Sequence, residues 1–274
     1  YLEAGQSPWD PERIRRFAQA TDSDPHAIVA AVMLGSPNLA ISAMDNKLAG
    51  PDTMVGCPGQ IDIGDRTIPN YDKFDLGLVP MSKAFADSCN TTFAELASRM
   101  SPTALTVAAS EYGIGPDYTI EGLTTVTGMV PASVDLAERT EDGFGQGKVL
   151  VTPFGMALAA ATVAAGKTPT PRLIAGTESV ETGENPPANP VTLDGLRSMM
   201  RRVVTDGTAR DIDGLGEVYG KTGEAEFQGG SHAWFTGYRG DLAFAGLIVG
   251  GGSSTYAVRM VRQMLEQLPP GFLA

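Results

Sequence analysis

Apolar residues in the first part of the chain recur at helical spacing, and turn residues divide them into segments. Residues 8 to 33 are predicted to be helical, with Asp24-Pro25 placed to begin a second helical segment. A further apolar stretch, Leu39 to Leu48, is also predicted to be a helix. Between residues 51 and 80, Gly, Pro, Asp and Asn interrupt short apolar pieces, which predicts a loop-rich region with one hairpin.

Helical patterns return in the middle of the chain. Residues 80 to 98 are predicted to be helical with a break at Ser88-Cys89-Asn90, and a further helix is predicted over 102 to 112. An Ala-rich segment, Pro153 to Ala165, has the composition of a closely packed core helix. The segment Leu193 to Thr205 predicts another helix, with basic residues near its C-terminal end.

The pattern changes to that of strands near the C-terminus. Glu217 to Gly223, Ala233 to Tyr238 and Leu242 to Val249 are short apolar runs separated by turn clusters, as in an antiparallel meander. Tyr256 to Leu268 then predicts an amphipathic helix that ends the chain. Helices followed by a meander and a last helix indicate an α+β fold with helices packed on one antiparallel sheet.

Composition narrows the function classes. The chain has 274 residues and a mean hydropathy of −0.04, which is ordinary for a globular protein with a sizeable core. Its net charge of −12 repels phosphate backbones, so we expect no nucleic-acid partner. The sequence contains neither a membrane-spanning apolar run nor a secretory signal peptide, so we expect any targeting signal to lie outside it.

Histidine and cysteine are scarce. His26 and His232 have no metal-ligand spacing around them, which argues against zinc catalysis, and we interpret His26 as a surface residue and His232 as structural. Cys57 and Cys89 are too few for a disulfide-dense scaffold. One disulfide between them and two buried thiols are equally compatible with the sequence.

Two tripeptides remain as candidates for chemistry, Ser88-Cys89-Asn90 and, far downstream, Lys221-Thr222-Gly223. Each is weak alone, but in this order they closely match two motifs of penicillin-binding proteins and class A β-lactamases. Acyl transfer at neutral pH without histidine needs a hydroxyl nucleophile activated by a lysine of lowered pKa. A second lysine then anchors the substrate carboxylate, while a serine and an asparagine relay the proton and hold the substrate amide. A backbone N–H at a strand edge contributes to the oxyanion hole.

The resemblance extends over most of the chain. From about residue 50 to 274 the sequence is similar to class B penicillin-binding proteins, and in particular it resembles the penicillin-binding lipoproteins of mycobacteria. The stretches that carry the similarity are Cys57 to Gly59, Arg66 to Tyr71, Phe85 to Phe93, Gly143 to Gly147, Val151 to Pro153, Gly207 to Ala209, Gly220 to Glu226 and Trp234 to Tyr238.

The resemblance implies a fold and a domain division. The fold is the penicillin-binding and serine β-lactamase type, an α+β antiparallel sheet flanked by helices plus an all-helical part. Residues 39–274 are then the transpeptidase domain, and residues 1–38 are the end of a non-catalytic N-terminal region or linker. The implied setting is the cell envelope outside the cytoplasmic membrane, with an N-terminal anchor that lies outside this sequence.

The resemblance also implies roles for the motif residues. Ser88 would shuttle the proton, and Asn90 would bind the substrate amide. Lys221 and Thr222 would hold the carboxylate of a D-Ala-D-Ala end or of a β-lactam.

The next two positions complete the implied substrate site. Gly223 would let substrate lie against the strand, and the backbone N–H of Glu224 would be one oxyanion donor. Many relatives carry a hydroxyl residue at position 224, and a glutamate carboxylate there would repel the substrate carboxylate. We therefore expect slower β-lactam acylation than in typical members.

The first motif of the family, Ser-x-x-Lys, does not occur in this sequence. Ser36 follows a glycine as the family nucleophile often does, but Leu39 stands where the lysine belongs. Ser42 is followed by Lys47, a spacing that does not suit one helical turn. Two interpretations fit: the nucleophile belongs to a segment missing from this sequence, which we favour, or the protein is a homologue that binds but cannot acylate.

The leading hypothesis is a serine D,D-transpeptidase of peptidoglycan cross-linking that β-lactams acylate. Alternatives are a carboxypeptidase or β-lactamase on the same fold and a catalytically silent scaffold or sensor. Glu138 and Glu141 are weak candidates for a deacylating base, and we interpret them as solvated loop acids. Neither metal nor organic cofactor is required, and the expected partners are stem peptides, β-lactams and the cell-wall synthesis machinery.

Overall fold

The computed structural model of the chain describes residues 32–120, 123–173 and 179–272. The helical segment predicted over residues 8 to 33 therefore lies almost wholly outside the described residues. No helix in the described part is both long and apolar enough to cross a membrane. The helices are α1 Val32–Asp45, α2 Met81–Ala86, α3 Asn90–Ser98, α4 Ala104–Glu111, α5 Leu136–Gly143, α6 Pro153–Ala165, α7 Pro190–Asp206 and α8 Ser254–Glu266.

The described strands form two three-stranded sheets, one of them C-terminal, and three two-stranded pairs. They are β1 Met54–Cys57, β2 Gln60–Ile63, β3 Arg66–Pro69, β4 Gly77–Pro80, β5 Tyr118–Ile120, β6 Leu123–Thr124, β7 Gly128–Met129, β8 Leu150–Val151, β9 Ser179–Glu181, β10 Val218–Phe227, β11 Gly230–Arg239 and β12 Leu242–Ile248. Two short 3-10 helices, Tyr71–Lys73 and Arg210–Leu215, complete the described elements.

The C-terminal sheet is the antiparallel meander that the sequence predicts, in the order β10-β11-β12. Its centre is tightly packed: a Cβ on Gly237 of β11 would lie 1.9 Å from the carbonyl oxygen of Tyr219 on β10. A side chain larger than hydrogen at this position would push the two strands apart. Trp234 and Phe235 on β11 are fully buried beneath the helices that cover the sheet.

The predicted core helix α6 has its expected ends. The side chain of Thr152 accepts a hydrogen bond from Gly155 N, Pro153 occupies the first turn, and Gly166 ends the helix in the left-handed conformation. In α1, Leu39 and Ile41 are almost completely buried in the same large core. The mixture of helices and antiparallel strands confirms the α+β prediction.

The region from residue 51 to 80 contains more strand pairing than the single hairpin predicted. The hairpin is β2 paired with β3, but β1 and β4 form a second antiparallel pair around it. A disulfide between Cys57, at the end of β1, and Cys89 closes this region onto the start of α3. Pairing between β1 and β4 joins residues far apart in sequence, so local turn signals did not reveal it.

Candidate active site

The main cleft of about 590 Å³ lies along β10, between the junction of α2 with α3 and the loop that follows β3. Four of the six motif residues line it, whereas Cys89 is fully buried and Lys221 lies behind the cleft with 1% of its surface exposed. One wall is apolar and consists of Pro69, Tyr71, Phe74 and Leu76, whereas most of the other lining residues are polar. The lining residues are Pro69, Asn70, Tyr71, Phe74, Leu76, Lys83, Asp87, Ser88, Asn90, Gln146, Gly207, Thr208, Arg210, Thr222, Gly223, Glu224, Glu226 and Ser254.

Ser88 lies in the tight connection between α2 and α3. Its φ of 60° is left-handed, a conformation that is strained for a residue with a Cβ. The connection is closed by hydrogen bonds from Ser88 N to Phe85 O and from Cys89 N to Ala84 O. This reversal explains the break in the helical pattern, and it places the Ser88 hydroxyl at the surface of the cleft.

Lys221 lies beneath Ser88. Its Nζ donates to Ser88 Oγ at 2.9 Å and to Thr222 O at 2.8 Å, and it is 5.6 Å from the centre of the Phe85 ring. Burial lowers the pKa of Lys221 to about 7, and the nearby charge of Asp87 only partly opposes that effect. Near neutral pH this amine can therefore both accept and return a proton through Ser88.

Thr222 is almost completely buried, and its hydroxyl faces Thr208 at an Oγ1–Oγ1 distance of 2.5 Å. Thr208 is exposed to the cleft and also donates to Ala86 O at 3.3 Å. The preceding Gly207 is required for this approach, since a Cβ there would lie 2.4 Å from Ala86 O. Thr208 had no role in the sequence analysis, although its Gly-Thr-Ala segment carried part of the resemblance.

Asn90 begins α3 and lines the cleft beside Ser88, with its Nδ2 donating to Pro69 O at 3.3 Å. The loop after β3 is held by Asn70, which is 2% exposed. Its Nδ2 donates to Pro58 O and Phe74 O, both at 2.8 Å. These contacts fix the apolar wall of the cleft relative to the second motif.

The Glu224 carboxylate is turned toward the N-terminus of α8, where its Oε1 accepts from Ser254 N at 2.7 Å. The partial positive charge of a helix N-terminus stabilises a carboxylate there. On the other side, Gln146 Nε2 donates to the Glu224 carbonyl oxygen at 3.4 Å. The bond from Ser254 N holds the Glu224 carboxylate, which weakens the argument that this carboxylate repels that of a substrate. The expected slow acylation stays a prediction.

A charged cluster at the floor of the cleft was not identified from the sequence. Lys83 Nζ lies 3.0 Å from Asp87 Oδ2 and 3.3 Å from Asp206 Oδ2, and it also donates to Asp206 O at 2.9 Å. Asp206 in turn contacts Arg202 at 3.3 Å. The cluster joins the end of α7 to α2, and its residues are too far apart in sequence for spacing to reveal it.

Ser36 lies within α1, directly before Pro37 and Asn38, which line a small cavity together with Lys221. Leu39, at the position of the family lysine, is fully buried in the core. The fold thus brings this part of α1 beside Lys221. The other serine considered, Ser42, lines a different cavity and does not reach the cleft.

Cys57 and Cys89 form a disulfide, whereas the sequence was equally compatible with two buried thiols. Both residues are fully buried, and Cys89 directly follows Ser88 and precedes the first residue of α3. The bond therefore anchors the second motif to the end of β1.

His232 has the contacts of a structural residue. His232 Nδ1 accepts from Gly250 N at 3.0 Å, and burial lowers the pKa of its ring. It lies outside the residues that line the cleft. His26 lies outside the described residues. Within the described residues no cluster of potential metal ligands is found.

The interpretation of Glu138 and Glu141 as loop acids was wrong, because both belong to α5. Glu138 Oε1 lies 2.9 Å from Lys148 Nζ, and Glu141 Oε1 lies 3.4 Å from Arg66 Nη1. Neither residue lines the cleft. Their sequence pattern was misread because the short helix carries few apolar residues.

The conformation of Ser88 leads to a prediction. In Ser88→Gly and Ser88→Ala variants we expect penicillin acylation to fall about 100-fold, since both lose the hydroxyl between Lys221 and the cleft. The glycine variant should be more stable than the alanine variant by about 1 kcal/mol, because only glycine adopts the left-handed conformation without strain. Acylation rates and urea unfolding measure the two effects.

A matched control is Ser98→Ala, since among the described residues the Ser98 hydroxyl bonds only within its own helix, to Glu95 O. It should leave acylation unchanged. Equal acylation by wild type and both Ser88 variants would contradict a role for the Ser88 hydroxyl.

Comparison with known proteins agrees with this geometry. The family model "Penicillin binding protein transpeptidase domain" matches residues 37–266. No curated protein matches the sequence significantly. Among solved structures, the D,D-transpeptidase domain of a peptidoglycan glycosyltransferase from Eggerthella lenta is 22% identical with a TM-score of 0.76, over 92% of this chain and 70% of that one.

Two further structures are similar. Penicillin-binding protein PBP2 from Helicobacter pylori is 21% identical with a TM-score of 0.78, over 94% of this chain and 54% of that one. Penicillin-binding protein A from M. tuberculosis, in an imipenem acyl-enzyme complex, is 20% identical with a TM-score of 0.76, over 97% and 69%. This chain thus spans between about half and 70% of the length of these proteins. The chain belongs to the family of penicillin-binding protein transpeptidase domains, as its motifs predicted.

Proposed function

We propose that this domain is a serine D,D-transpeptidase that cross-links peptidoglycan stem peptides and is acylated by β-lactams. The observation that carries the proposal is the 2.9 Å contact between Lys221 Nζ and Ser88 Oγ at the surface of a cleft that also contains Asn90. A buried amine of lowered pKa next to a hydroxyl suits proton transfer in acyl transfer.

In this proposal a serine hydroxyl attacks the carbonyl carbon of the penultimate D-alanine, an ester to the serine forms, and the C–N bond to the terminal D-alanine breaks, so that D-alanine leaves as an amine. An amine of a second stem peptide then attacks the ester, which forms the cross-link and releases the serine. Ser88 passes a proton between Lys221 and the leaving or attacking amine. Asn90 holds the substrate amide, and substrate lies against β10 at Gly223. The N–H of Glu224 is the proposed oxyanion donor, and no metal or organic cofactor is required.

The two motifs do not identify the serine that becomes acylated. Ser36 is the candidate, since α1 brings the residues that directly follow it beside Lys221. Leu39 supplies no amine there, which supports the second candidate function, a catalytically silent module that binds peptide or β-lactam. A carboxypeptidase or β-lactamase is the third possibility, in which water replaces the acceptor amine.

The setting follows from the family. Transpeptidase domains of penicillin-binding proteins act in cell-wall synthesis outside the cytoplasmic membrane. We propose that this one is membrane-anchored, as a lipoprotein or through a helix, with residues 1–38 ending the N-terminal region and 39–274 forming the transpeptidase domain. PBP2 from Helicobacter pylori forms a complex with MreC, which supports cell-wall synthesis proteins as partners. Inhibition by β-lactams would connect it to antibiotic resistance.

Intact-protein mass spectrometry after incubation with penicillin tests the proposal. We expect the full-length protein to gain one penicillin mass, and peptide mapping with a Ser36→Ala variant identifies the acylated serine. The silent-module hypothesis instead predicts that the mass is unchanged while ligand still binds reversibly. Rapid loss of an adduct with turnover of penicillin would indicate a β-lactamase.

A further inference from the structure

A small cavity of about 40 Å³ adjoins Lys221, which lines this cavity and not the main cleft. Most of its walls are apolar side chains of α6 and α7, among them Met156, Leu196 and Met200. A water molecule requires roughly 10–15 Å³ of such space. The cavity behind Lys221 is therefore large enough to hold water.

Two hydroxyls line this cavity without a hydrogen-bond partner. Tyr112, directly after α4, is 2% exposed, and Thr236 of β11 is 3% exposed. Neither Tyr112 Oη nor Thr236 Oγ1 has a partner among the described residues. Buried hydroxyls in native proteins are almost always bonded, and those without a protein partner bond to buried water. The two hydroxyls make one side of the cavity polar.

Lys221 can supply a third contact to the same cavity. Thr236 lies directly opposite Lys221 in the register of β10 and β11, so the two side chains occupy the same face of the sheet. An ammonium group has three N–H donors. Lys221 uses two of them, for Ser88 Oγ and Thr222 O, and the third has no partner among the described residues.

We propose that the cavity binds a water molecule that bonds to the hydroxyls of Tyr112 and Thr236 and accepts a hydrogen bond from Lys221. This inference rests on the proposed function, in which Lys221 exchanges a proton through Ser88, and it makes Tyr112 and Thr236 positioning residues for that exchange. A water that accepts from the ammonium stabilises its charged form. The two hydroxyls thereby limit the fall in the pKa of Lys221 that burial causes.

Few other charges act on Lys221. Asp87, at the end of α2, raises the pKa of Lys221, whereas Asn38 of α1 and the α6 and α7 side chains of the cavity are uncharged. Burial raises the pKa of Tyr112, so its hydroxyl stays protonated. Glu111 is the neighbour that titrates in the same range, because burial raises its pKa to about 7.

The test measures the titration of Lys221 from the carbon-13 chemical shift of its ε carbon, and the spectrum of Lys221→Met assigns the signal. In Tyr112→Phe/Thr236→Val we expect the midpoint to move to lower pH by about one pH unit, since a hydrogen bond to a charged group changes an equilibrium constant on the order of tenfold. The pH profile of penicillin acylation should move by the same amount. Thr236→Ser keeps the hydroxyl and should titrate as wild type.

Thr140→Val is the matched control, because Thr140 is 1% exposed and its hydroxyl donates to Leu136 O, away from the cavity. This variant and Glu111→Gln should leave the Lys221 midpoint unchanged. A shift in Glu111→Gln equal to that of the double variant would assign the titration to Glu111 and overturn the inference.

A crystal structure of the wild type should show a water within hydrogen-bond distance of the hydroxyls of Tyr112 and Thr236. If the cavity instead binds xenon and no water, or if the double variant keeps the wild-type midpoint, the inference is overturned and the proposed function is untouched. If the midpoint shifts but the wild type gains no penicillin mass, the water site stands and the proposed function is overturned.

Discussion

Replacing Lys221 with methionine is expected to reduce penicillin acylation about 1000-fold while making the protein more stable. The acylation loss follows from removing the amine that bonds Ser88 Oγ at 2.9 Å. The stability gain, about 1–3 kcal/mol at pH 7, follows because a fully buried lysine is replaced by an apolar side chain of similar length. Activity and stability therefore change in opposite directions, which a purely structural lysine would not produce.

The stability gain should depend on pH. Burial lowers the pKa of Lys221 from 10.5 to about 7, so between these values the unfolded chain binds more protons than the folded one. The unfolding free energy of the wild type then rises with pH over this window because of Lys221, and the variant lacks this contribution. Urea unfolding at pH 7 and pH 10 should show the difference between the two proteins narrowing.

Lys148→Met is the control, since Lys148 is 69% exposed and pairs with Glu138 outside the cleft. It should leave both stability and acylation close to those of the wild type, because a solvent-exposed ion pair contributes little. A Lys221→Met protein that is less stable than wild type at pH 7, or equally acylated, would contradict the assigned role.

Removing the disulfide is expected to have the largest destabilising effect. The bond joins Cys57 to Cys89 across 32 positions, and a loop of this length corresponds to about 3–4 kcal/mol of unfolding free energy. We expect Cys57→Ala/Cys89→Ala to lose this amount in urea unfolding. Acylation should also slow, because Cys89 is the neighbour of Ser88 and directly precedes α3.

Reduced wild-type protein separates the loss of the cross-link from the loss of the two sulfur atoms. Its unfolding midpoint should lie close to that of the double variant, with the small remainder due to packing around the two buried positions. If oxidised and reduced wild type unfold at the same denaturant concentration, the disulfide does not stabilise this fold.

Local signals were sufficient for α6, α7, α8 and the C-terminal meander, but not for α5, β8 and β9. The helix Pro153–Ala165 was predicted to the residue, because Thr152, Pro153 and Gly166 specify its ends within one short segment. The meander was predicted because turn clusters separate its three apolar runs. Its first strand, β10, extends to Phe227, beyond the predicted Gly223. The β1–β4 pair was missed because its strands are separated by a whole hairpin.

The sequence by itself determined the family, the α+β class and the two motifs, since each depends on residue types at short spacing. Only the tertiary structure decided that Ser88 and Lys221 are in contact, that Glu224 turns to α8, and that Cys57 and Cys89 are joined. It also decided that Arg210 shares the cleft with Thr208. These relations depend on how distant segments pack, and burial of a charge such as Lys221 has no sequence signal until its surroundings are known.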